Sequence, residues 1–301
     1  MAEVLIGPAG WAYKDWEGIV YPRGLAAVRP AKRREHPLDF LAHYFDLVEI
    51  NTSFYGHMKP EVARGWVQLV SAVNPRFRFT AKLNRAFTHS PVAVVEPTSA
   101  LTIRPGSDDE PLAKAGLDVL AGEGRLGAVL AQFPISFRCT TANRQYVAEL
   151  ASRFSEYPLV VELRHASWNN RETLAELAAL GIALCNIDQP LIGNALGPET
   201  HVTSRIGYVR LHGRNYAQWF AHEHAHDRYN YLYTPAELRK WAARIREVAG
   251  NADRVFVVAN NHFQGKAAAN ALELKSMIAG ERVSAPESLV ERYQDLREFV
   301  A

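Results

Sequence analysis

The chain has 301 residues, of which 48% are hydrophobic and 22% are charged, so it is long enough and apolar enough to bury a large core. Its 34 Lys and Arg residues exceed its 32 Asp and Glu residues by only two, which excludes a global field that draws nucleic acid or a membrane surface. Two cysteines, Cys139 and Cys185, lack metal-site spacing and argue against a disulfide framework.

The start of the chain has neither a basic region nor a long apolar run, so it matches neither a signal peptide nor a membrane span. We therefore expect a cytoplasmic protein that does not enter a membrane.

The first half of the chain alternates predicted strands with predicted helices. Strands are expected where short β-branched runs are bounded by Gly, Pro or Asn, and helices where apolar residues recur at helical spacing. In chain order they are the strand 4–11, helix 38–45, strand 47–54, helix 60–73, strand 77–83, helix 112–120, strand 127–134 and helix 143–154. Residues 24–36 are predicted to form a solvated basic loop, and residues 84–111 a long loop over one end of the molecule.

The second half continues the alternation. Thr234 and Glu237 form a capping box with proline at the first helical position, so a helix is expected to start there. The predicted elements are the strand 160–168, helix 171–180, strand 182–188, strand 207–213, helix 235–248, strand 254–262, and helices 266–278 and 286–300. Residues 189–205 show no helical pattern and are expected to be irregular.

Eight strands, each followed by a mostly helical segment without a break in composition, are typical of a TIM (β/α)8-type barrel. We predict a single α/β domain over residues 1–301, with extra loops and a C-terminal helix. A doubly wound open sheet is the alternative, but its central strands would be apolar on both faces.

Polar residues share one face of several predicted strands. On the second, third, fifth and seventh strands the other face is uninterrupted and apolar, so it should pack on the helices while the polar face lines the barrel. Barrel enzymes carry their active sites at the carboxyl ends of the strands. The residues expected to converge there are Glu49, Asn51, Lys82, Gln132, Glu162, Arg164, Asp188, Arg210, His212, Asn260 and His262.

This polar set, in which three carboxylates face three fixed cations, suggests an enzyme acting on a phosphate-bearing substrate. Glu49, Glu162 and Asp188 are the candidate bases or ligands of a divalent metal, while His212 and His262 would move protons or hold the metal. The candidate substrate-binding residues are Trp11, Asn51, Tyr55, Lys82, His89, Gln132, Arg164, Trp168, Arg210, Asn260 and Gly265. Structural ion pairing, for example between Glu162 and Arg164, is the alternative explanation for part of the set.

Several of these candidates are chosen for a specific physical reason. Arg164 and Arg210 carry donors that match phosphate oxygens, and we expect them to bind an oxyanion. Gly265 lies between the eighth strand and its helix, where barrels often bind phosphate on backbone N–H groups. Trp11, Phe54, Tyr55 and Trp168 lie at or just beyond strand ends and are candidate stacking walls, although each is also a plausible core residue.

A cluster of histidines, His222, His224 and His226, follows the seventh strand. No neighbouring residue offers a fixed fourth ligand, so we predict that this loop holds no structural metal.

Motifs along almost the whole chain resemble the YecE-like family, also called domain of unknown function 72. They are I-G-P-A-G-W, V-E-I-N-T-S-F-Y, Lys82 with Thr88-His89, L-A-Q-F-P, V-E-L-R-H-A-S-W, V-R-L-H-G-R, Y-L-Y-T-P-A-E-L and A-N-N-H. The resemblance implies a TIM barrel, in agreement with the strand count, and supplies no catalytic residues.

Three functions stay open on the sequence alone. The leading one is a hydrolase-like enzyme for a nucleotide, a nucleic-acid phosphodiester or another phosphate-bearing substrate. A glycosidase or sugar isomerase would instead use two of the carboxylates beside the aromatic walls. A module that binds nucleic acid or a metabolite without turnover would need no pair of proton-transfer groups.

Overall fold

The computed structural model describes residues 2–25, 36–89, 103–219 and 227–301. Its framework is one sheet of eight parallel strands. They are β1 (Glu3–Pro8), β2 (Leu47–Ile50), β3 (Arg78–Lys82), β4 (Leu126–Gln132), β5 (Leu159–Glu162), β6 (Ala183–Asp188), β7 (Ile206–Leu211) and β8 (Arg254–Ala259).

The strands follow the order β1-β8-β7-β6-β5-β4-β3-β2, so the sheet curves round until its first and second strands are neighbours. A bridge between Ala9 and Glu49, with the Gly10 N–H donating to the Glu49 carbonyl at 2.8 Å, nearly closes the barrel. Gly7 makes this approach feasible, because a Cβ there would collide with the backbone carbonyl of Leu47. The predicted TIM-barrel fold is confirmed.

Helices cover the outside of the barrel in the part of the chain that the structure describes. They are α1 (Pro37–Ala42), α2 (Pro60–Val73), α3 (Asp109–Gly122), α4 (Thr141–Arg153), α5 (Arg171–Ala179), α6 (Pro235–Gly250), α7 (Lys266–Ala279) and α8 (Glu287–Arg292). The predicted capping box is present at α6, where the Thr234 hydroxyl accepts from the Glu237 N–H and the Glu237 carboxylate accepts from the Thr234 N–H. Within these described segments, no helix combines the length and the apolar character needed to cross a bilayer.

Most predicted elements differ from the structure by a few residues at their ends, and three differ most. The predicted strands 47–54 and 160–168 end at Ile50 and Glu162, and short 3-10 turns follow at Thr52–Phe54 and Ala166–Trp168. The predicted helix 286–300 divides into α8 and a 3-10 segment, Gln294–Glu298. It divides at Tyr293, which leaves the helical conformation and donates its hydroxyl proton to the Gln264 carbonyl at 2.6 Å.

Apolar residues form one cluster inside the barrel and a larger one between the sheet and the helices. On β2, β3, β5 and β7 the residues of the predicted apolar face do lie against the helices: these are Val48, Ile50, Phe79, Ala81, Val161, Val209 and Leu211. The opposite faces of these four strands therefore point into the barrel.

On β6 the side chains alternate in the opposite sense to the one predicted, and its polar residues point outward. The expectation that Asp188 faces the barrel is therefore wrong. Cys185 and Ile187 belong to the inner cluster, so Asn186 and Asp188 point outward. No helix follows this strand directly, because residues 189–205 are irregular as predicted. Backbone from that segment binds the Asn186 amide instead: the Asn186 Nδ2 donates to the His201 carbonyl at 2.9 Å.

Candidate ligand-binding site at the mouth of the barrel

A cavity of about 260 Å³ opens at the carboxyl ends of β1, β2, β3, β4 and β8. Seven of the residues predicted for the site line it: Trp11, Asn51, Tyr55, Lys82, Gln132, Asn260 and His262. The lining has no carboxylate among the described residues; its polar side-chain groups are amides, phenols, one aliphatic hydroxyl, one indole, one imidazole and one amine.

Beneath the cavity, Arg210 joins two buried carboxylates. Its Nη2 lies 2.6 Å from Glu49 Oε1, and its Nη1 lies 2.5 Å from Glu162 Oε2. All three side chains are almost completely shielded from solvent. The guanidinium is therefore already occupied by carboxylate oxygens, and the expectation that Arg210 binds a ligand oxyanion is not supported by this geometry.

Two neighbours complete the hydrogen bonding of these carboxylates. The Tyr208 hydroxyl lies 2.9 Å from Glu49 Oε2 and 2.8 Å from Thr80 Oγ1. Arg164 Nε donates to Glu162 Oε1 at 2.7 Å. Burial raises the pKa of the Glu162 carboxyl, but the opposing effect of Arg210, His212 and Arg164 is greater and holds that pKa well below its usual value. Glu162 is thus ionised and paired.

His212 is buried in the same network rather than on the cavity surface. Its Nδ1 accepts a hydrogen bond from the Asn260 side-chain amide at 2.9 Å, which assigns the ring proton to Nε2, 3.2 Å from Glu162 Oε1. Burial lowers the pKa of His212 to about 3, so the imidazole is neutral. It holds the Asn260 side chain at the cavity wall and does not itself reach the cavity lining.

Lys82 is the charged residue of the network that faces the cavity. Its amine lies 4.1 Å from the centre of the Phe54 ring, and it has no hydrogen bond or ion pair with the described residues. Burial lowers the pKa of this amine, and the charge of Arg210 lowers it further, to about 7. Lys82 can therefore be cationic or neutral close to neutral pH.

Aromatic rings form the walls above Lys82. The Tyr13 ring stacks on His262 with 4.4 Å between centroids, and the Tyr229 ring lies 4.8 Å from the other side of that imidazole. Trp11 packs edge-on against Trp66, while Tyr55 stands at the rim with 77% of its surface exposed. Burial raises the pKa of Tyr13 well above its usual value, so this phenol stays protonated.

The loop after β1 is fastened to the loop after β8, which fixes this wall. Trp16 Nε1 donates to the His262 carbonyl at 2.7 Å, and the Asp15 carboxylate accepts the Gln264 N–H at 2.6 Å. Gly265, predicted to bind phosphate, does not line the cavity: it packs closely on Ile19 and Val20 in a left-handed conformation. The turn before α7 is thus filled by the chain's own side chains.

Three other predicted site residues lie away from the cavity lining. Asp188 faces outward and forms a bidentate pair with Arg214, whose Nη2 is 2.9 Å from Asp188 Oδ1. Trp168 is a core residue that donates its Nε1 proton to the Phe137 carbonyl at 2.7 Å. His89 bonds through Nδ1 to the Thr88 hydroxyl at 2.9 Å, with its ring near Phe54.

Five lining residues were absent from the predicted set: Gly10, Ala12, Tyr13, Thr52 and Tyr229. Tyr13 had a usable signal, because it follows the first strand by a few residues, next to the predicted wall residue Trp11. Thr52 had a similar signal, because it directly follows the predicted site residue Asn51. Tyr229 lies in the loop between β7 and α6, where no periodic pattern fixes the path of the chain.

The metal site proposed from the sequence lacks a ligand cluster. Within residues 2–25, 36–89, 103–219 and 227–301, no three His, Cys, Asp or Glu side chains are grouped so that they could hold a metal ion. Glu49 and Glu162 bind Arg210, whereas Asp188 binds Arg214. His222, His224 and His226 lie outside the described residues, so their prediction stays a prediction.

Comparison with known proteins gives one consistent result. The family model described as "Protein of unknown function DUF72" matches residues 5–292. UPF0759 protein YunF of Bacillus subtilis (strain 168) is 25% identical over 285 residues, which covers 91% of this chain and 94% of that protein. A solved DUF72 family protein of Thermotoga maritima MSB8 is 31% identical, with 92% and 99% of the two chains covered and a TM-score of 0.74. Another, from Enterococcus faecalis V583, is 25% identical, with 92% and 95% covered and a TM-score of 0.74.

Proposed function

Because the chain belongs to the DUF72 family of proteins of unknown function, for which YecE-like is another name, its activity must be argued from its own site, and we propose that it is an enzyme for a small phosphate-bearing substrate. The substrate would lie in the mouth cavity, with its anionic group towards Lys82. Phosphate is the first candidate for that group, and a carboxylate is the second.

The balance of charge below the cavity carries this proposal. Three cations, Lys82, Arg164 and Arg210, stand against the two carboxylates of Glu49 and Glu162. Both arginines are paired, so the excess positive charge is on Lys82, whose amine faces the cavity. Lys82 is partly buried, and a charge that is partly withdrawn from water without a partner is costly. An anionic ligand would supply that partner.

A second observation supports a positive potential on this side of the mouth. Burial lowers the pKa of His89, and the charges of Lys82, Arg85 and Arg164 lower it further, to about 4. These cations therefore act on the same small region. An anion that approaches the cavity would be attracted to it.

Sugar chemistry receives less support from the geometry. A glycosidase or sugar isomerase of the predicted kind needs two carboxylates in the cavity, but Glu49 and Glu162 are turned towards Arg210 and do not line it. For hydrolysis, His262 is the lining imidazole that could take a proton from water. Nucleic-acid binding and the cytoplasmic location remain predictions from the sequence.

Calorimetric titration with inorganic phosphate tests the proposal. We expect binding near pH 6, where the Lys82 amine is protonated, and weaker binding as the pH rises above about 7. Lys82→Met should weaken binding by about 10- to 100-fold, the equivalent of one lost charge-assisted contact. Lys82→Arg should retain most of it.

Lys240→Met provides the matched control, because Lys240 is exposed on α6 and does not line the cavity. Its phosphate affinity should equal that of the unaltered protein. Equal affinity in Lys82→Met, with the same melting temperature, would disprove the anion site at Lys82.

A further inference from the structure

Lys82 has the surroundings of an amine nucleophile, not of a structural cation. It ends β3 on the inward-facing side of the strand, two residues after the buried Thr80. Its backbone is held by two hydrogen bonds. The Lys82 carbonyl accepts from the Ser53 hydroxyl at 2.6 Å, and the N–H of the following residue, Leu83, donates to the Leu130 carbonyl at 2.8 Å. The side chain therefore starts from a rigid point.

The environment of the amine disfavours its charge. No carboxylate of the described residues contacts Nζ. Burial is the largest cause that lowers the pKa of this amine; the charges of Arg210 and Arg164 lower it too, whereas those of Glu49 and Glu162 raise it, and the net effect is a lowered pKa. Desolvation and neighbouring cations are the two known means of keeping a lysine neutral for attack on a carbonyl group. At about pH 7 only about one ordinary lysine in 2,500 is neutral, whereas a pKa of about 7 for Lys82 makes the neutral amine a major form.

The cavity above the amine suits a small carbonyl compound. The side-chain amides of Asn51, Gln132 and Asn260 line it and can bond to carbonyl and hydroxyl oxygens without adding charge. Trp11 and Tyr13 supply aromatic walls, and His262, stacked on Tyr13, supplies an imidazole that can pass a proton.

From this arrangement we infer that the Lys82 amine forms an imine with a small carbonyl substrate that also carries a phosphate or carboxylate group. The inference rests on the proposed function, because it uses the same cavity and the same anionic group.

The reaction balances without a metal or a redox partner. Neutral Nζ attacks the carbonyl carbon, a C–N bond forms as the C=O π bond breaks, and one Nζ proton passes to the carbonyl oxygen to give a neutral carbinolamine. A second proton, from His262 or water, reaches the same oxygen, the C–O bond breaks, and water leaves behind a protonated imine. The positive charge is then on Nζ, where it can pair with the anionic group of the substrate.

Borohydride trapping tests the inference. The full chain is incubated at about pH 7 with pyruvate, with dihydroxyacetone phosphate or with glyceraldehyde 3-phosphate, and is then reduced with sodium borohydride. Peptide mapping by mass spectrometry should show one stoichiometric reduced adduct on Lys82 with at least one probe. Lys240 in the same sample reports nonspecific labelling and should stay at background.

The Lys82→Arg variant separates this inference from the proposed function. It keeps the positive charge but has no primary amine, so the adduct should disappear while phosphate affinity is retained. If the unaltered protein binds phosphate but no probe is trapped, or if Lys82 and Lys240 are labelled equally, the imine is disproved and the anion site stands. If Lys82 is trapped but phosphate does not bind, the imine stands and phosphate is disproved as the anionic group of the substrate.

Discussion

Arg210 connects two strands of the barrel beneath the cavity, because its two Nη atoms bind the carboxylates of Glu49 on β2 and Glu162 on β5. Taking this many charges out of water is costly, and the cost is offset only when the hydrogen bonds are nearly complete. Removing one member of such a network leaves the others uncompensated. At the scale of single residues, the network is thus a rigid base that holds His212 and, through it, Asn260.

Replacing Arg210 by Met should therefore destabilise the fold, since Glu49 and part of Glu162 would lose their counter-charge. We expect a loss of roughly 3–5 kcal/mol in the free energy of unfolding, measured by urea denaturation. Arg205→Met is the matched control, because Arg205 pairs with Asp253 on the surface, and it should change stability by less than about 0.5 kcal/mol. Equal stability of both variants would show that the buried pairs contribute little.

The sequence predicted which residues of this network meet but not how they pair. Alternation along β2, β5 and β7 placed Glu49, Glu162 and Arg210 inside the barrel. Whether a guanidinium then faces a carboxylate or the cavity depends on the stagger of neighbouring strands and on side-chain length. The sequence pattern contains neither quantity, so Arg210 was assigned to a ligand that it does not reach.

At the scale of elements, the contact between β1 and β2 decides whether the barrel closes. Their backbones approach most closely at Gly7, whose missing side chain leaves room for the Leu47 carbonyl. The sequence signals that predicted these strands carry no information on this contact, because the two strands are joined through a long loop and a helix. Strand β6 shows a related limit: its outward polar residues are satisfied by irregular backbone that no periodic pattern predicts.

Gly7→Ala should force β1 and β2 apart. The added methyl group would overlap a backbone atom that cannot move independently, so we expect a loss of about 1–3 kcal/mol in unfolding free energy, towards the upper end. Gly65→Ala on α2 is the control: open space surrounds that position, and alanine favours the helix by up to about 1 kcal/mol. Thermal melts of the two variants should move in opposite directions, and a parallel shift would contradict the steric argument.

At the scale of the whole molecule, a neutral imidazole inside the barrel makes stability depend on pH. The folded protein keeps His212 unprotonated down to about pH 3, whereas the unfolded chain protonates it below about pH 6.5. Between these values the unfolded state binds more protons, so stability falls as the pH falls. The limiting slope is about 1.4 kcal/mol per pH unit for one group.

His212→Gln should remove this contribution, so its unfolding free energy should vary less between about pH 6 and pH 4 than that of the unaltered protein. His43→Gln, at an exposed position, serves as the control and should follow the unaltered protein. Urea titrations at several pH values give the comparison. Parallel curves for all three proteins would mean that His212 is protonated in the fold.

Trp16 and Asp15 hold the loop that follows β8 by two hydrogen bonds. This part of the cavity wall therefore joins an early segment of the chain to a late one. On a ribosome, β3 and its Lys82 emerge long before His262 and Gln264 are synthesised. A growing chain therefore has the amine but not the enclosure around it. A small molecule that needs both can bind only after translation has passed this loop, so it would stabilise finished molecules and could not assist the early steps of folding.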